Sequence, residues 1–258
     1  MDLLETQFNL KHRHPWELAR LEIITGFIIK HQGNEPKEIL DVGSGDAYMA
    51  HSLIQAIPKS HAYCVDINYN RSIKKKIQSI FNNPSLLLYS NLSDVHPTDK
   101  YIDTVIILDT LEHVDDDFAF LSEITSKSCV NNQAYYYITS PAFQFLYGAH
   151  DVFFKHYRRY TIESLKKVVS DSGLDVIDTG YLFFSLLLTR ILQLIIQKIK
   201  RGKENNIANL GSWKKSKWVT LFFKSVLLID YSITSFINKL GIIIPGLSCY
   251  VICKKREV

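Results

Sequence analysis

The segment that most constrains the fold is residues 39–46, Ile-Leu-Asp-Val-Gly-Ser-Gly-Asp, in which a short apolar run ends in a glycine-rich loop. A strand, a tight loop and a helix in this order are typical of the first unit of a parallel sheet that binds a nucleotide beyond its strand ends. A second apolar run, residues 61–66, ends at Asp66, 21 residues after Gly45. An acid at that place can accept hydrogen bonds from both ribose hydroxyls. The sequence therefore predicts a nucleoside cofactor.

The loop chemistry indicates which nucleoside is bound. Dinucleotide-binding loops follow the pattern G-x-G-x-x-G, but Tyr48 stands at the third glycine position. Asp41 and Asp46 flank the loop and disfavour a pyrophosphate. S-adenosylmethionine (SAM) carries no phosphate, and its ammonium group is attracted by carboxylates. A P-loop is excluded because its G-x-x-x-x-G-K-[ST] pattern is missing from the sequence. SAM is the predicted cofactor, and the alternative is that the two glycines form only a tight turn.

Apolar runs and helical periodicity alternate along the chain at the spacing of βαβ units, so an α/β fold is expected. The prediction is a doubly wound, seven-stranded, mostly parallel Rossmann-like sheet with a helical insertion before the last strand. Strands are expected near residues 37–42, 61–66, 86–89, 102–108, 134–139, 176–183 and 249–253. The predicted units are an N-terminal helical cap (1–36), a SAM-binding core (37–184), an apolar basic insertion (185–245) and a final core strand with the C-terminus (246–258).

Residues 37–183 resemble class I SAM-dependent methyltransferases. The first family motif, D-x-G-x-G-x-G, matches except that Ala47 replaces its third glycine, and the fourth-strand motif D-x-V…L-E-H-V matches from Asp103 to Val114. Asp66 matches the acid that ends the second strand in the family, and Asn91 with Leu92 matches the position after the third strand that reads the adenine. The resemblance implies a methyltransferase fold and activity. The predicted cofactor-binding residues are Asp41, Gly43, Gly45, Asp66, Ile67, Asn91, Leu92, Leu108 and His113.

The methyl acceptor is expected beside residues 148–160, which follow the fifth strand and are rich in His, Arg and Tyr. A base contributes about 10²–10⁴-fold when a hydroxyl must lose its proton, and His150 and His156 are the predicted catalytic residues. The D…H-x-R-R-Y-T pattern resembles a methyltransferase subgroup linked with polysaccharide and glycolipid assembly. The alternative for its Arg158, Arg159 and Tyr160 is that they brace the loop. No metal site is predicted.

The C-terminal part of the chain differs from the rest in charge. Residues 181–258 contain 13 Lys/Arg and 3 Asp/Glu, a net charge of +10, whereas residues 1–180 carry −6. Trp213 and Trp218 stand beside lysines, as at membrane interfaces. We expect amphipathic helices on an anionic membrane surface. The alternative is packing against the domain or a homodimer partner. Nucleic acid is disfavoured because large aliphatic residues interrupt the basic ones.

The four cysteines form no CxxC pair, which favours a reducing cytoplasm. The expected location is therefore cytoplasmic, with peripheral attachment to the inner membrane face. The leading hypothesis is O-methylation of a sugar or lipid-linked glycan. Two alternatives remain, which are methylation of a quinone-like or other lipophilic small molecule and a non-catalytic SAM-binding scaffold.

Overall fold

The computed structural model describes residues 13–97, 100–199, 213 and 215–256. Seven strands and eight α-helices lie in these residues. The strands are β1 (Glu38–Val42), β2 (His61–Val65), β3 (Leu86–Tyr89), β4 (Ile102–Leu108), β5 (Val130–Pro141), β6 (Leu174–Leu182) and β7 (Ser248–Lys255). The helices are α1 (Pro15–Gln32), α2 (Tyr48–Ala56), α3 (Arg71–Phe81), α4 (Asp117–Ser126), α5 (Ala149–Phe153), α6 (Ile162–Asp171), α7 (Phe184–Ile199) and α8 (Lys217–Lys239).

The strands form one sheet in the order β3-β2-β1-β4-β5-β7-β6. The first five strands of the chain are mutually parallel, and β7 runs antiparallel to both of its neighbours. The chain order reverses between β1 and β4, which is the switch point at which sheets of this type bind ligands. The predicted α/β class and the mostly parallel seven-stranded sheet are confirmed.

The sheet has a hydrophobic core on each face, because successive strand residues point to opposite sides. In β1, Leu40 and Val42 belong to one core and Ile39 to the other. Helices α4 and α6 cover the first face, while α1, α2 and α8 cover the second. Burial on both faces explains why β4 reads as one uninterrupted apolar run after its first residues.

The last two strands pair tightly because one of them carries a glycine where the other carries a large ring. Gly180 lies opposite Tyr250 in the antiparallel ladder. A Cβ atom at Gly180 would stand 2.7 Å from the Tyr250 ring. The ring instead packs against Phe27 of α1, with 4.8 Å between the centroids. This contact joins the antiparallel edge of the sheet to the N-terminal helix.

The segment between β6 and β7 contains the two helices α7 and α8. Helix α8 packs on α1, and its Lys224 Nζ lies 2.5 Å from Glu22 Oε2. The carboxylate of Asp230 on α8 accepts hydrogen bonds from the backbone N–H (2.9 Å) and hydroxyl (2.6 Å) of Ser185. These bonds satisfy an N–H group at the start of α7, which has no partner inside the helix. The insertion is thus attached to the core through α1, and its two helices are joined to each other through Asp230 and Ser185.

Candidate active site

A cavity of about 1020 Å³ opens beyond the carboxyl ends of β1, β2 and β4. The loops after these strands form one side of its wall, while the start of α1, the segment around α5 and one face of α7 form the rest. Among the predicted cofactor residues, Gly43, Asp66, Ile67, Asn91, Leu92 and His113 line the cavity. Both predicted catalytic residues, His150 and His156, line it as well.

The loop after β1 is tight, and Gly43 is required by its geometry. Gly43 has a φ of +76°, and a Cβ atom there would stand 2.3 Å from Thr110 Oγ1. Its backbone N–H donates to the Val65 carbonyl at 2.8 Å. Ala47 also has a positive φ, +58°, at the position where the family motif has its third glycine. A left-handed alanine costs about 1–2 kcal/mol, so Ala47 holds a backbone conformation that glycine would adopt without this cost.

Asp66 ends β2 and connects the two cofactor loops. Its Oδ2 accepts from the Gly45 N–H and its Oδ1 from the Asn68 N–H, both at 2.9 Å. The carboxylate is therefore held in one orientation at the cavity wall, with further lone pairs left for a ligand. The next residue, Ile67, is 90% exposed, so its apolar side chain is available to pack against the face of a base.

The wall after β3 is formed by Asn91 and Leu92. The Asn91 side-chain amide donates to Asp94 Oδ2 at 3.2 Å, and Leu92 is buried against the sheet. With Asp66 and Ile67 they form one continuous side of the cavity, which suits a ribose followed by an adenine.

Three of the predicted cofactor residues do not line the cavity. Asp41 is buried behind the loop, Gly45 contributes its backbone to hold Asp66, and Leu108 belongs to the core on the α1 side of the sheet. Strand alternation explains the position of Leu108, because it points to the same face as Ile106. A contact between cofactor and Leu108 is therefore not supported by its position.

The buried carboxylate of Asp41 makes stability depend on pH. Its Oδ2 has no hydrogen-bond partner in the described residues, and burial raises the pKa of Asp41 to about 7. The folded-state pKa lies above the unfolded value of about 3.9. The protonated Asp41 side chain therefore stabilises the fold relative to the charged one. This stabilisation is fully present below about pH 4 and is lost as the pH rises through 7.

We expect Asp41→Asn to remove this loss. Asparagine does not ionise, so its unfolding free energy lacks this pH dependence. The unfolding free energy of Asp41→Asn minus that of the wild type should therefore be about 2–3 kcal/mol more positive at pH 8 than at pH 5. Thermal unfolding without SAM measures this difference as a shift in Tm, at about 2–4 °C per kcal/mol for a chain of this size. The exposed Asp171 on α6 serves as the matched control, because Asp171→Asn should show no such gain. An equal effect of Asp41→Asn at both pH values would contradict the assignment.

Two ion pairs that the sequence did not indicate join α1 and the residues just before it to the loops around the cavity. Arg13 pairs with Asp46, and Arg20 pairs with Asp109. The Arg13 guanidinium also lies 4.0 Å above the ring of Tyr48. The expectation that Asp46 attracts the cofactor ammonium therefore needs correction, because Arg13 already neutralises this carboxylate. His14, Trp16 and Arg20 line the cavity.

The acceptor side of the cavity is organised around Asp151, which is fully buried. Its Oδ1 lies 2.9 Å from His156 Nδ1 and accepts from Arg159 Nε at 2.8 Å, and its Oδ2 accepts from the Gly148 N–H at 2.9 Å. Burial by itself would raise the pKa of Asp151, but these hydrogen bonds outweigh it and hold that pKa well below its usual range. A charged Asp151 thus fixes the ring of His156.

The Arg-Arg-Tyr part of the same segment braces the loop. Arg158 contacts Asp117 at 2.9 Å, and the Tyr160 hydroxyl donates to Asp117 Oδ2 at 2.7 Å. Arg159 is held by Asp151 and also donates to the Ala142 carbonyl at 3.2 Å. The bracing alternative therefore describes these three side chains, although Arg159 also reaches the cavity wall.

The two predicted catalytic histidines differ in their surroundings. Burial lowers the pKa of His150 to about 4, which makes its imidazole a weak base near neutral pH. His156 is oriented by Asp151, and its ring meets that of His113 edge-on at 4.6 Å between the centroids. The arrangement favours His156 over His150 as the group that acts on an acceptor hydroxyl.

The sheet order and the cavity define a class of fold, namely a doubly wound α/β sheet with a ligand-sized cavity at its switch point. A family profile described as a methyltransferase domain matches residues 19–179. The chain therefore belongs to this methyltransferase family and is a SAM-dependent methyltransferase, with SAM as its cofactor. Among curated protein sequences, none matches the chain significantly.

Solved structures of low sequence identity share the fold. A putative sarcosine dimethylglycine methyltransferase from Galdieria sulphuraria is 15% identical with a TM-score of 0.59, and the match covers 93% of this chain and 86% of that one. An O-methyltransferase of a trans-AT PKS multienzyme from Brevibacillus brevis, in complex with S-adenosyl-L-homocysteine, is 11% identical with a TM-score of 0.56 and coverages of 94% and 76%. The [4+2]-cyclase SpnF is 12% identical with a TM-score of 0.56 and coverages of 97% and 88%.

Proposed function

We propose that this methyltransferase O-methylates a lipid-linked acceptor, such as a glycan on a lipid carrier, at the cytoplasmic face of a membrane. The carrying observation is the position of α7, which stands between the cavity and an exposed apolar surface. An acceptor that lies partly in a bilayer would reach the cofactor along this helix.

The two faces of α7 differ in what they contact. One face, together with the residue just before the helix, lines the cavity with Phe183, Leu186, Arg190 and Gln193, which recur at helical spacing. The other side exposes large aliphatic residues. These are Leu188, Leu192, Ile195, Ile196 and Ile199, each between 40% and 74% exposed. A helix that is apolar on its outer side needs an apolar partner.

Helix α8 extends this apolar surface. Its exposed row recurs every three or four residues through Phe222, Val226, Ile229, Ile233, Phe236 and Leu240. Lys215 and Lys217 lie at the start of α8 beside Trp218, which is 83% exposed, and Lys239 is the last residue of the helix. Exposed aliphatic and aromatic groups flanked by lysines are typical of helices that lie in the interface of anionic lipids.

Helix α8 is also long and apolar enough to cross a membrane by length and composition. Two contacts support an orientation along the surface instead. Its inner face packs on α1, and Lys224 in its N-terminal half is paired with Glu22. A spanning orientation would have to break these contacts with the core.

Two arginines, Arg159 and Arg190, line the acceptor end of the cavity, which favours an acceptor with an anionic group such as a lipid-carrier phosphate. Arg190 donates to the Leu146 carbonyl at 3.5 Å. Among the described residues, no carboxylate oxygen lies within 4.0 Å of its guanidinium nitrogens. Burial and the neighbouring Arg159 lower the pKa of Arg190. An anion between the two guanidinium groups would relieve this repulsion. The resemblance of the D…H-x-R-R-Y-T segment to the glycolipid subgroup agrees with this choice.

A turnover screen with isotopically labelled SAM tests the acceptor class. We expect methyl transfer to polyprenyl-phosphate-linked sugars in vesicles, and much slower transfer to sugar nucleotides in solution. Transfer to quinols but not to lipid-linked sugars would favour the quinone-like alternative. Equal transfer to water-soluble sugar nucleotides with and without vesicles would contradict a membrane-presented acceptor.

The membrane surface has its own test in vesicle flotation. The full chain should float with vesicles that contain anionic lipid, and the double substitution Ile229→Lys with Phe236→Lys should abolish flotation. Two lysines in the middle of the exposed row make burial in lipid unfavourable by several kcal/mol. Tyr101→Lys is the matched control, because Tyr101 is similarly exposed (64%) but lies outside the insertion.

Wild-type protein that stays at the bottom of the gradient would overturn the membrane proposal. If the wild type is then a dimer in solution and the double variant is a monomer, the exposed row is an interface between two copies. In that case the acceptor proposal would have to stand on the two arginines of the cavity, Arg159 and Arg190, alone.

A further inference from the structure

Three side chains from two segments that are distant in sequence converge at the acceptor end of the cavity. Glu112 and His113 lie in the short turn after β4, and His156 follows α5. One ligand-type atom of each residue lies within 4.8 Å of those of the other two. The backbone N–H of Tyr157 donates to the Glu112 carbonyl at 2.7 Å, which holds the two loops together. The cluster is therefore built into the backbone contacts of the fold.

The carboxylate of Glu112 is only half satisfied. Its side chain is fully buried, and Oε2 accepts from Ser140 Oγ at 3.2 Å. Oε1 has no hydrogen-bond partner in the described residues. A buried carboxylate is costly unless it is protonated, paired or bound to a metal.

The contacts of His156 match those around known metal ligands. A histidine that binds a metal usually hydrogen bonds through its other ring nitrogen to a carboxylate, which fixes the ring. His156 Nδ1 lies 2.9 Å from Asp151 Oδ1, so Nε2 is the nitrogen that can face a cation. Asp151 is itself fixed by Arg159 and the Gly148 N–H.

We propose that Glu112, His113 and His156 bind one divalent cation, of the zinc or manganese type, that activates the acceptor hydroxyl. Two imidazoles and one carboxylate form a ligand set that suits borderline transition metals and leaves coordination positions for substrate. This role rests on the proposed function, because it assumes a hydroxyl acceptor at this end of the cavity.

The reaction balances without any further reagent. The hydroxyl oxygen binds the cation, which lowers the pKa of the hydroxyl, and its proton passes to solvent. The oxygen then forms a bond to the methyl carbon of SAM while the carbon–sulfur bond breaks with its electron pair staying on sulfur. The products are a methyl ether and S-adenosylhomocysteine. A His156 nitrogen that binds the cation cannot also accept the proton, so metal removal distinguishes these two roles.

Calorimetric titration of the untagged, full-length protein with Zn²⁺ or Mn²⁺ after dialysis against EDTA tests the site. We expect one cation per chain. Glu112→Gln, His113→Ala and His156→Ala should each weaken binding by at least about 10-fold, and Asp151→Asn by about 10–100-fold. His61→Gln is the matched control, because His61 lies on β2 beside Glu38 and away from the cavity. Co²⁺ should give a visible absorption spectrum that the three ligand variants lack.

The metal site is wrong if the wild type takes up no cation, or if all three variants bind as tightly as the wild type. Equal turnover before and after EDTA dialysis would overturn the catalytic role of the cation and leave the proposed acceptor intact. A chain that binds the cation and SAM but methylates none of the hydroxyl acceptors would instead overturn the proposed function.

Discussion

Replacing Asp66 with alanine is expected to weaken SAM binding about 100-fold. We expect this carboxylate, at the cavity wall, to accept hydrogen bonds from the ribose hydroxyls, and hydrogen bonds to a charged group contribute about 1.5–3 kcal/mol each. The same substitution removes the acceptor of the Gly45 and Asn68 N–H groups, so the loop after β1 also loses its anchor. Calorimetry with SAM measures the loss.

Two controls separate recognition from damage to the fold. Asp171→Ala changes the net charge equally on the far helix α6 and should leave SAM affinity unchanged. Asp66→Asn keeps the shape and one acceptor oxygen, and we expect it to bind SAM with intermediate affinity. If Asp66→Ala binds SAM as tightly as the wild type while remaining folded, Asp66 does not contact the ribose.

The second large effect is expected on turnover. His156→Ala should reduce kcat by about 10²–10³-fold, since proton removal and its equivalents contribute on this scale, and SAM affinity should stay near normal. His150→Ala is the matched control in the same cavity, because the lowered pKa of His150 makes it a poor base. Single-turnover rates with saturating SAM measure the difference.

The pair of variants also tests the assignment itself. A large loss in His150→Ala with none in His156→Ala would reverse their roles. Full turnover in both would show that neither histidine acts on the acceptor. Loss in His156→Ala is expected whether the residue accepts a proton or binds a cation, and the EDTA experiment separates these two cases.

Much of the cofactor side was predictable because it depends on short stretches of chain. The loop from Asp41 to Asp46, the acid at Asp66 and the pair Asn91-Leu92 each follow a strand directly, and parallel strands bring their carboxyl ends to one edge. Strands β3 and β4 begin and end at the predicted residues. Leu108 is the exception. The sequence predicted the residue at which β4 ends, but not the face of the sheet to which that residue points.

The acceptor side was less predictable because its contacts join distant segments. The sequence suggested that His156 or His150 acts as a base, and left open whether the following Arg-Arg-Tyr run binds substrate or braces the loop. Only the folded chain brings Asp151, Arg159 and His156 into one network. No spacing rule relates Glu112 and His113 to His156, so a metal-type cluster was not foreseen.

The sequence by itself determined the class of sheet and the edge at which its loops meet, because hydrophobic periodicity and loop glycines act locally. The family resemblance of its motifs added SAM as the cofactor. The tertiary structure decided three further features. Arg13 neutralises Asp46 above the cofactor loop, α7 presents one face to the cavity and the other outward, and Glu112 meets His156 across two loops. Each depends on which surfaces pack together, and packing is set by the whole core rather than by any one segment.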